Sequence, residues 1–176
     1  VFTLLLQERD LIDTLDFSAL KSLKIGSAPT PKELLDAVEA AFGVAASESY
    51  GLTEGGPVMI GTPTDGRPVP HGSCGVVWPE GEVKLIDADG NEHLSYGELW
   101  VRNPGVTPGY WNLPEVNAVR LKDGWLSTGD VFSRDDDGFF YFRGRTDDMF
   151  NSGGENIYPL EVENMLLPNR AAAEVS

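Results

Sequence analysis

Ser49-Tyr50-Gly51-Leu52-Thr53-Glu54 is the stretch on which the reading of this chain turns. An aromatic and apolar pair suits the end of a strand, Gly51 supplies a turn, and a hydroxyl and a carboxylate follow at once. Upstream, Thr30-Pro31-Lys32-Glu33 places an N-cap, a proline at the first helical position and a capping-box acid ahead of Leu34, Leu35, Val38, Ala41 and Phe42. That spacing predicts an amphipathic helix ending at Gly43. Leu23-Lys24-Ile25-Gly26 precedes it as a short strand and Val44 to Tyr50 follows as another. The first segment therefore reads strand, helix, strand, the end of an α/β layer.

Downstream the texture changes to short strands separated by turn residues: Val76 to Ile86, Glu98 to Arg102, Val131 to Ser133 and Phe139 to Arg143. Asp87-Ala88-Asp89-Gly90 and Asp135-Asp136-Asp137-Gly138 mark hairpin turns between some of them. The second run lacks the alternating ligands and distal glutamate of a calcium loop, so it is read as a solvated turn. This pattern predicts a small, distorted β-barrel or sheet. After Arg145 a glycine-containing loop leads to Pro159, which can open a helix carrying Leu160, Val162, Met165 and Leu166. The expected fold class is α/β plus β. Residues 1–65 end an α/β subdomain, 66–145 form the barrel-like subdomain, and 146–176 begin a C-terminal α+β domain.

Composition narrows the function. The formal charge of −15 opposes binding to a nucleic-acid polymer, which depends on clustered Lys and Arg. Cys74 is the only cysteine, so no internal disulfide forms, and with only His71 and His93 a Cys/His metal cluster cannot be built. A reducing, cytoplasmic setting is expected. No apolar run reaches the roughly 20 residues of a membrane span. Val1 to Leu6 lacks a basic leader and a cleavage site, and the missing initiator Met points to a chain that begins in mid-protein.

Several polar groups then stand out. Gly26-Ser27-Ala28-Pro29 follows a strand with a small, flat surface, and the ends of parallel strands are where α/β sheets place ligands. A planar base fits between that surface and the Tyr50 ring. Glu54 suits a hard cation such as Mg²⁺, which uses one or two carboxylates together with phosphate oxygens. In Ser127-Thr128-Gly129-Asp130, an Asp held by a glycine turn between apolar strands can accept two hydrogen bonds from a ribose diol. Gly97 to Val101 with Pro108-Gly109-Tyr110-Trp111 and Pro114 is assigned to structure, as a strand, a bend and a short helix. His71, His93 and Cys74 receive no catalytic role.

In this order, with Gly144-Arg145-Thr146-Asp147 closing the series, the motifs resemble those of the adenylate-forming superfamily: acyl- and aryl-CoA synthetases, luciferases and peptide-synthetase adenylation domains. The resemblance spans nearly the whole chain. It implies an enzyme that joins a carboxylic acid to ATP, releases pyrophosphate, and passes the acyl group to a thiol. By position, Gly26, Ala28 and Pro29 would line the adenine, Tyr50, with Ser49 and Gly51 beside it, would stack on the base, and Thr53 would meet phosphate. Glu54 would hold Mg²⁺, Asp130 and Arg145 would bind the ribose hydroxyls, and Phe142 would flank the nucleotide. Asp147 matches the family's hinge. Asp148 to Pro159 resembles the post-hinge loop of CoA ligases, where Gly153 and Gly154 would let the pantetheine arm of coenzyme A pass.

The resemblance also implies parts that the sequence does not contain: a Gly/Ser/Thr-rich phosphate loop upstream and a catalytic lysine segment downstream. The chain therefore reads as a piece of a larger acyl- or aryl-CoA ligase, inactive by itself, with Gly55, Gly56, Pro57 and Val58 bordering the acid pocket. The alternatives are an adenylation domain that loads a carrier protein, and a non-catalytic nucleotide-binding remnant. Apolar surface left exposed by the missing remainder of the chain would favour oligomers or aggregation.

Overall fold

In the computed structural model, residues 1–27, 30–152 and 155–166 are described. Two short helices, α1 (Phe2–Leu5) and α2 (Arg9–Ile12), lead to strand β1 (Leu23–Ile25), helix α3 (Lys32–Phe42) and strand β2 (Ala46–Glu48). Strands β3 (Tyr50–Leu52), β4 (Gly56–Gly61), β5 (Val76–Val77), β6 (Glu82–Ile86), β7 (Glu92–His93) and β8 (Tyr96–Arg102) follow. Then come α4 (Pro114–Arg120), β9 (Leu121–Lys122), β10 (Trp125–Arg134), β11 (Phe140–Arg145), β12 (Phe150–Ser152), β13 (Glu155–Ile157) and α5 (Pro159–Leu166).

The expected strand, helix, strand unit is present, with β1 and β2 parallel and Ile25 opposite Glu48. Its helix buries Leu35 and Val38 and sets Phe42 edge-on to Phe17, with 5.0 Å between ring centroids. The N-terminus differs by one residue from the capping pattern. Pro31, not Thr30, is the N-cap, and no side chain caps the helix. The reason is a tertiary competitor, because the buried Glu48 carboxylate accepts the Thr30 amide at 2.7 Å and holds that residue outside the helix. Gly43 ends the helix in the left-handed conformation, as read from the sequence.

Beyond residue 49 the chain is almost all antiparallel. One sheet runs β11-β10-β8-β6-β7, with β9 pairing β10, and a second runs β3-β4-β5. An isolated bridge between Gly75 and Phe140 joins them, so the surface curls into a partial barrel. Only glycine fits at that joint, since a Cβ at Gly75 would stand 2.0 Å from the Gly61 carbonyl oxygen. Met59, Ile60, Cys74, Leu85, Leu99, Val101, Leu126, Phe132 and Phe140 form the enclosed core. Phe132 is its hub, meeting Tyr50, Phe140 and Phe142 edge-to-face at 4.8, 6.5 and 5.5 Å. Such pairs add roughly 0.5–1.5 kcal/mol each beyond the area they bury.

Three strand readings change. The single strand expected over Val76 to Ile86 is broken at Trp78 to Gly81, where Pro79 cannot donate to a ladder and Gly81 bonds back to Trp78. The short strand expected at Val131 to Ser133 is the second half of ten-residue β10, and Ser127 to Asp130 lies inside it as a bulge, not in a turn between strands. The segment after Arg145, expected as a loop, forms the β12–β13 hairpin before α5. Asp135 to Gly138 is a hairpin turn, with the Asp135 carboxylate accepting the Asp137 and Phe139 amides. Trp111 and Leu94 are 90% and 86% exposed.

Candidate nucleotide site

Asp130 faces Arg145 because β10 and β11 pair those two positions directly. Arg145 donates from Nη1 to Asp130 Oδ1 at 3.0 Å, and from Nε to Asp147 Oδ1 at 2.9 Å. From the other side, the Tyr50 hydroxyl donates to Asp130 Oδ2 at 2.5 Å. The two acids differ in setting: the Asp130 side chain is 11% exposed and that of Asp147 63%. Burial pushes the Asp130 carboxyl above its ordinary range, against the opposing pull of Tyr50 and Arg145. Burial, and then Asp130 itself, pushes the Tyr50 phenol up, so Tyr50 remains a neutral donor. Asp147 is held low by its hydrogen bonds from Arg145.

The bulge beneath Asp130 is tied at every residue. Glu98 on β8 accepts the Ser127 hydroxyl at 2.5 Å and the Gly129 amide at 2.9 Å. Thr128 Oγ1 donates to the Leu99 carbonyl and accepts the Asp130 amide. The Gly129 carbonyl accepts both the amide and the hydroxyl of Thr146, which ties the segment after β11 to the bulge. Gly129 takes φ +77°, and a Cβ there would stand 2.7 Å from Arg120 Nη1. A bulge of this kind re-aims the side chain beside it, and here Asp130 is turned toward Tyr50 and Arg145.

The turn between β3 and β4 carries Thr53 and Glu54. Gly51, Leu52, Thr53 and Gly56 line a shallow, open depression beside it. Glu54 Oε1 accepts the Tyr110 hydroxyl at 2.9 Å, the Glu54 carbonyl accepts the Thr107 amide at 2.7 Å, and Asn103 Nδ2 donates to the Gly55 carbonyl at 2.9 Å. Among the described residues no group of three or more His, Cys, Asp or Glu is placed to hold a metal. A cation at Glu54 would therefore take most of its ligands from phosphate oxygens and water. That donor set fits Mg²⁺.

Residues 1–111 match the family described as AMP-binding enzyme. The chain belongs to the AMP-binding enzyme family. It is 40% identical over 163 residues to a long-chain-fatty-acid–CoA ligase of Bacillus subtilis, covering 91% of this chain and 29% of that protein. It is 36% identical over 163 residues to an indoleacetate–CoA ligase of Aromatoleum aromaticum, covering 92% and 32%. Among solved structures, the O-succinylbenzoate CoA synthetase of Bacillus subtilis in complex with ATP and magnesium superimposes with a TM-score of 0.80 at 33% identity, covering 94% of this chain and 35% of that one. The chain thus spans about a third of the length of the relatives it matches.

The fold brings several of the sequence-derived residues together. Tyr50, Asp130, Arg145 and Asp147 form one hydrogen-bonded chain. Gly26 lies against Ser49, whose amide bonds to the Ile25 carbonyl, and a Cβ on Gly26 would approach the Ser49 carbonyl oxygen to 3.1 Å. Phe142 packs on Phe132 at the core. Ala28, Pro29, Gly153 and Gly154 lie outside the described residues. Among the described residues no helix is long and apolar enough to cross a membrane. Cys74 is buried, its thiol pushed up to about 12, chiefly by burial.

Two residues that the sequence reading assigned to structure sit against the motifs instead: Glu98 under the bulge and Tyr110 on Glu54. For Glu98 a signal was there. β8 alternates strictly, and an acid in a central strand between apolar neighbours needs a partner. Tyr110 gave no such signal, since its link to Glu54 spans 56 residues.

Proposed function

We propose that these residues form the nucleotide-binding part of an ATP-dependent carboxylic acid:CoA ligase, which makes an acyl adenylate with release of pyrophosphate and then an acyl-CoA thioester. The observation that carries this reading is the Asp130 carboxylate, largely buried, oriented by Tyr50 and Arg145, and set by the bulge in β10. A carboxylate fixed in this way can accept both hydroxyls of a ribose. Relatives that are acid:CoA ligases, and a structural neighbour holding ATP and magnesium, support it.

Each residue then has a task. Gly26, Ala28 and Pro29 line the adenine, with Ser49, Tyr50 and Gly51 on its other side and Phe142 flanking the nucleotide. Asp130 and Arg145 hold the ribose, and Thr53 donates to a phosphate oxygen. Glu54 would hold Mg²⁺, which when bound would offset the charge that gathers around the α-phosphate during adenylate formation. Asp147 is the hinge, and Gly153 and Gly154 flank the pantetheine of coenzyme A. The acid is drawn from an aliphatic or aromatic class, since relatives are named for both long-chain fatty acids and indoleacetate. The lone, buried Cys74 suits a cytoplasmic enzyme.

The test is AMP release by the full-length polypeptide that carries this segment, across aliphatic and aromatic carboxylates with ATP and Mg²⁺, with and without free CoA. CoA-dependent turnover with one acid class is expected. Adenylate formation without CoA-dependent turnover would instead indicate a carrier-loading enzyme. The 176 residues alone are expected to release no pyrophosphate in a carboxylate-dependent assay.

A further inference from the structure

We infer that Tyr110 is a positioning residue for the metal-binding carboxylate, its hydroxyl fixing one oxygen of Glu54 so that the other faces the cation. This rests on the reading of Glu54 as the Mg²⁺ ligand. The geometry has three parts. Tyr110 Oη donates to Glu54 Oε1 at 2.9 Å, and among the described residues Oε2 receives no donor. The backbone of the same turn is held by the same loop, through Thr107 to the Glu54 carbonyl at 2.7 Å. Tyr110 is itself anchored, because the Asn117 side chain on α4 accepts its amide at 2.7 Å and donates to its carbonyl at 2.9 Å. A chain of contacts thus runs from a helix to the loop, to the phenol, and to the carboxylate.

The choice of a phenol is informative. A lysine or arginine at this place would orient Glu54 equally well but would neutralise it, and a cation would then gain little from binding there. Tyr110 orients the carboxylate and leaves its charge intact. Partners of this kind, one step removed from a metal, typically change metal affinity 10- to 100-fold when removed.

The experiment is calorimetric titration of ATP into the full-length polypeptide, once with Mg²⁺ and once with EDTA, for wild type, Tyr110→Phe and Glu54→Gln. Tyr110→Phe keeps the ring and removes only the hydroxyl. The expected result is about 10-fold weaker binding of ATP in Mg²⁺, unchanged binding in EDTA, and recovery as the Mg²⁺ concentration is raised. A merely structural role for Tyr110 would weaken both titrations equally, and that outcome overturns the inference. So does wild-type affinity in Mg²⁺ for Tyr110→Phe while Glu54→Gln is weakened. If Glu54→Gln itself binds like wild type in Mg²⁺, the assignment of the metal to Glu54 fails first and takes this inference with it.

Discussion

In the bulge at 127–130 all four residues are buried and each is tied by hydrogen bonds to β8, β11 or the segment after it, whereas the turn at 53–55 leaves Thr53 exposed and Glu54 half-buried. The two places serve opposite ends of the nucleotide in the proposed function. A ribose keeps its shape and charge throughout the reaction, so an acceptor for it can be preorganised inside a sheet. The phosphates shed pyrophosphate and their metal shell must exchange, so the groups that meet them are better left open and only lightly held. Glu54 shows that compromise, with one oxygen held by Tyr110 and, among the described residues, no donor on the other.

The sharpest way to break this contrast is through the core that carries the bulge. Phe132 is fully buried two residues after Asp130 and contacts Tyr50, Phe140 and Phe142. Phe132→Ala is expected to cost about 3–5 kcal/mol, read by urea denaturation, with loss of AMP binding. A loss of less than about 1 kcal/mol would show that the barrel does not depend on this hub.

Next comes the tie itself. Glu98→Ala leaves the buried Gly129 amide and the Ser127 hydroxyl without their acceptor, and is expected to cost about 1–3 kcal/mol and to weaken AMP binding. Glu98→Gln, which still accepts, is expected to recover much of both. If AMP affinity is untouched in Glu98→Ala, the bulge holds Asp130 without help from the Glu98 carboxylate and the contrast between the two motifs weakens.

The uneven hold on the two motifs also explains how much could be read from the sequence. Local patterns carried the β1-α3-β2 unit, because helix period, proline and glycine signals all agree over a short span. The bulge was read as a turn because Gly129 and its polar neighbours look alike in either setting, and only pairing to β8 and β11 decides. Asp130 and Tyr50 stand out in the sequence as single candidates. Their contact does not, since 80 residues separate them. Helix α3 starting one residue late is the same lesson on a small scale, with Glu48 overriding a local cap signal.

Smaller again is the effect of the buried charge. Because burial raises the Asp130 carboxyl, its contribution to stability is present when it is protonated and is lost as pH rises through the raised value in the fold. Asp130→Asn is therefore expected to melt above wild type at neutral pH, with the gap closing below about pH 4, while AMP affinity falls because an amide has only one oxygen to accept with. Glu48, also raised by burial, is present in both proteins and cancels in the difference. A variant that melts lower at neutral pH would show that the Arg145 pair outweighs burial.

Thr53 is the limiting case. Its side chain is exposed at the edge of the open depression, and among the described residues no hydrogen bond depends on it. Thr53→Ala is therefore expected to change stability by no more than about 0.5 kcal/mol. In the full-length polypeptide the same change is expected to slow adenylate formation, because a donor to a phosphate oxygen is removed where charge gathers in the transition state. AMP affinity should hardly move if the ribose end supplies most of it. Thermal melting, AMP titration and pyrophosphate exchange on this one variant thus separate the two motifs. A drop in stability or in AMP affinity as large as that from Glu98→Ala would mean that the turn is as much part of the scaffold as the bulge, and that the division drawn between them is wrong.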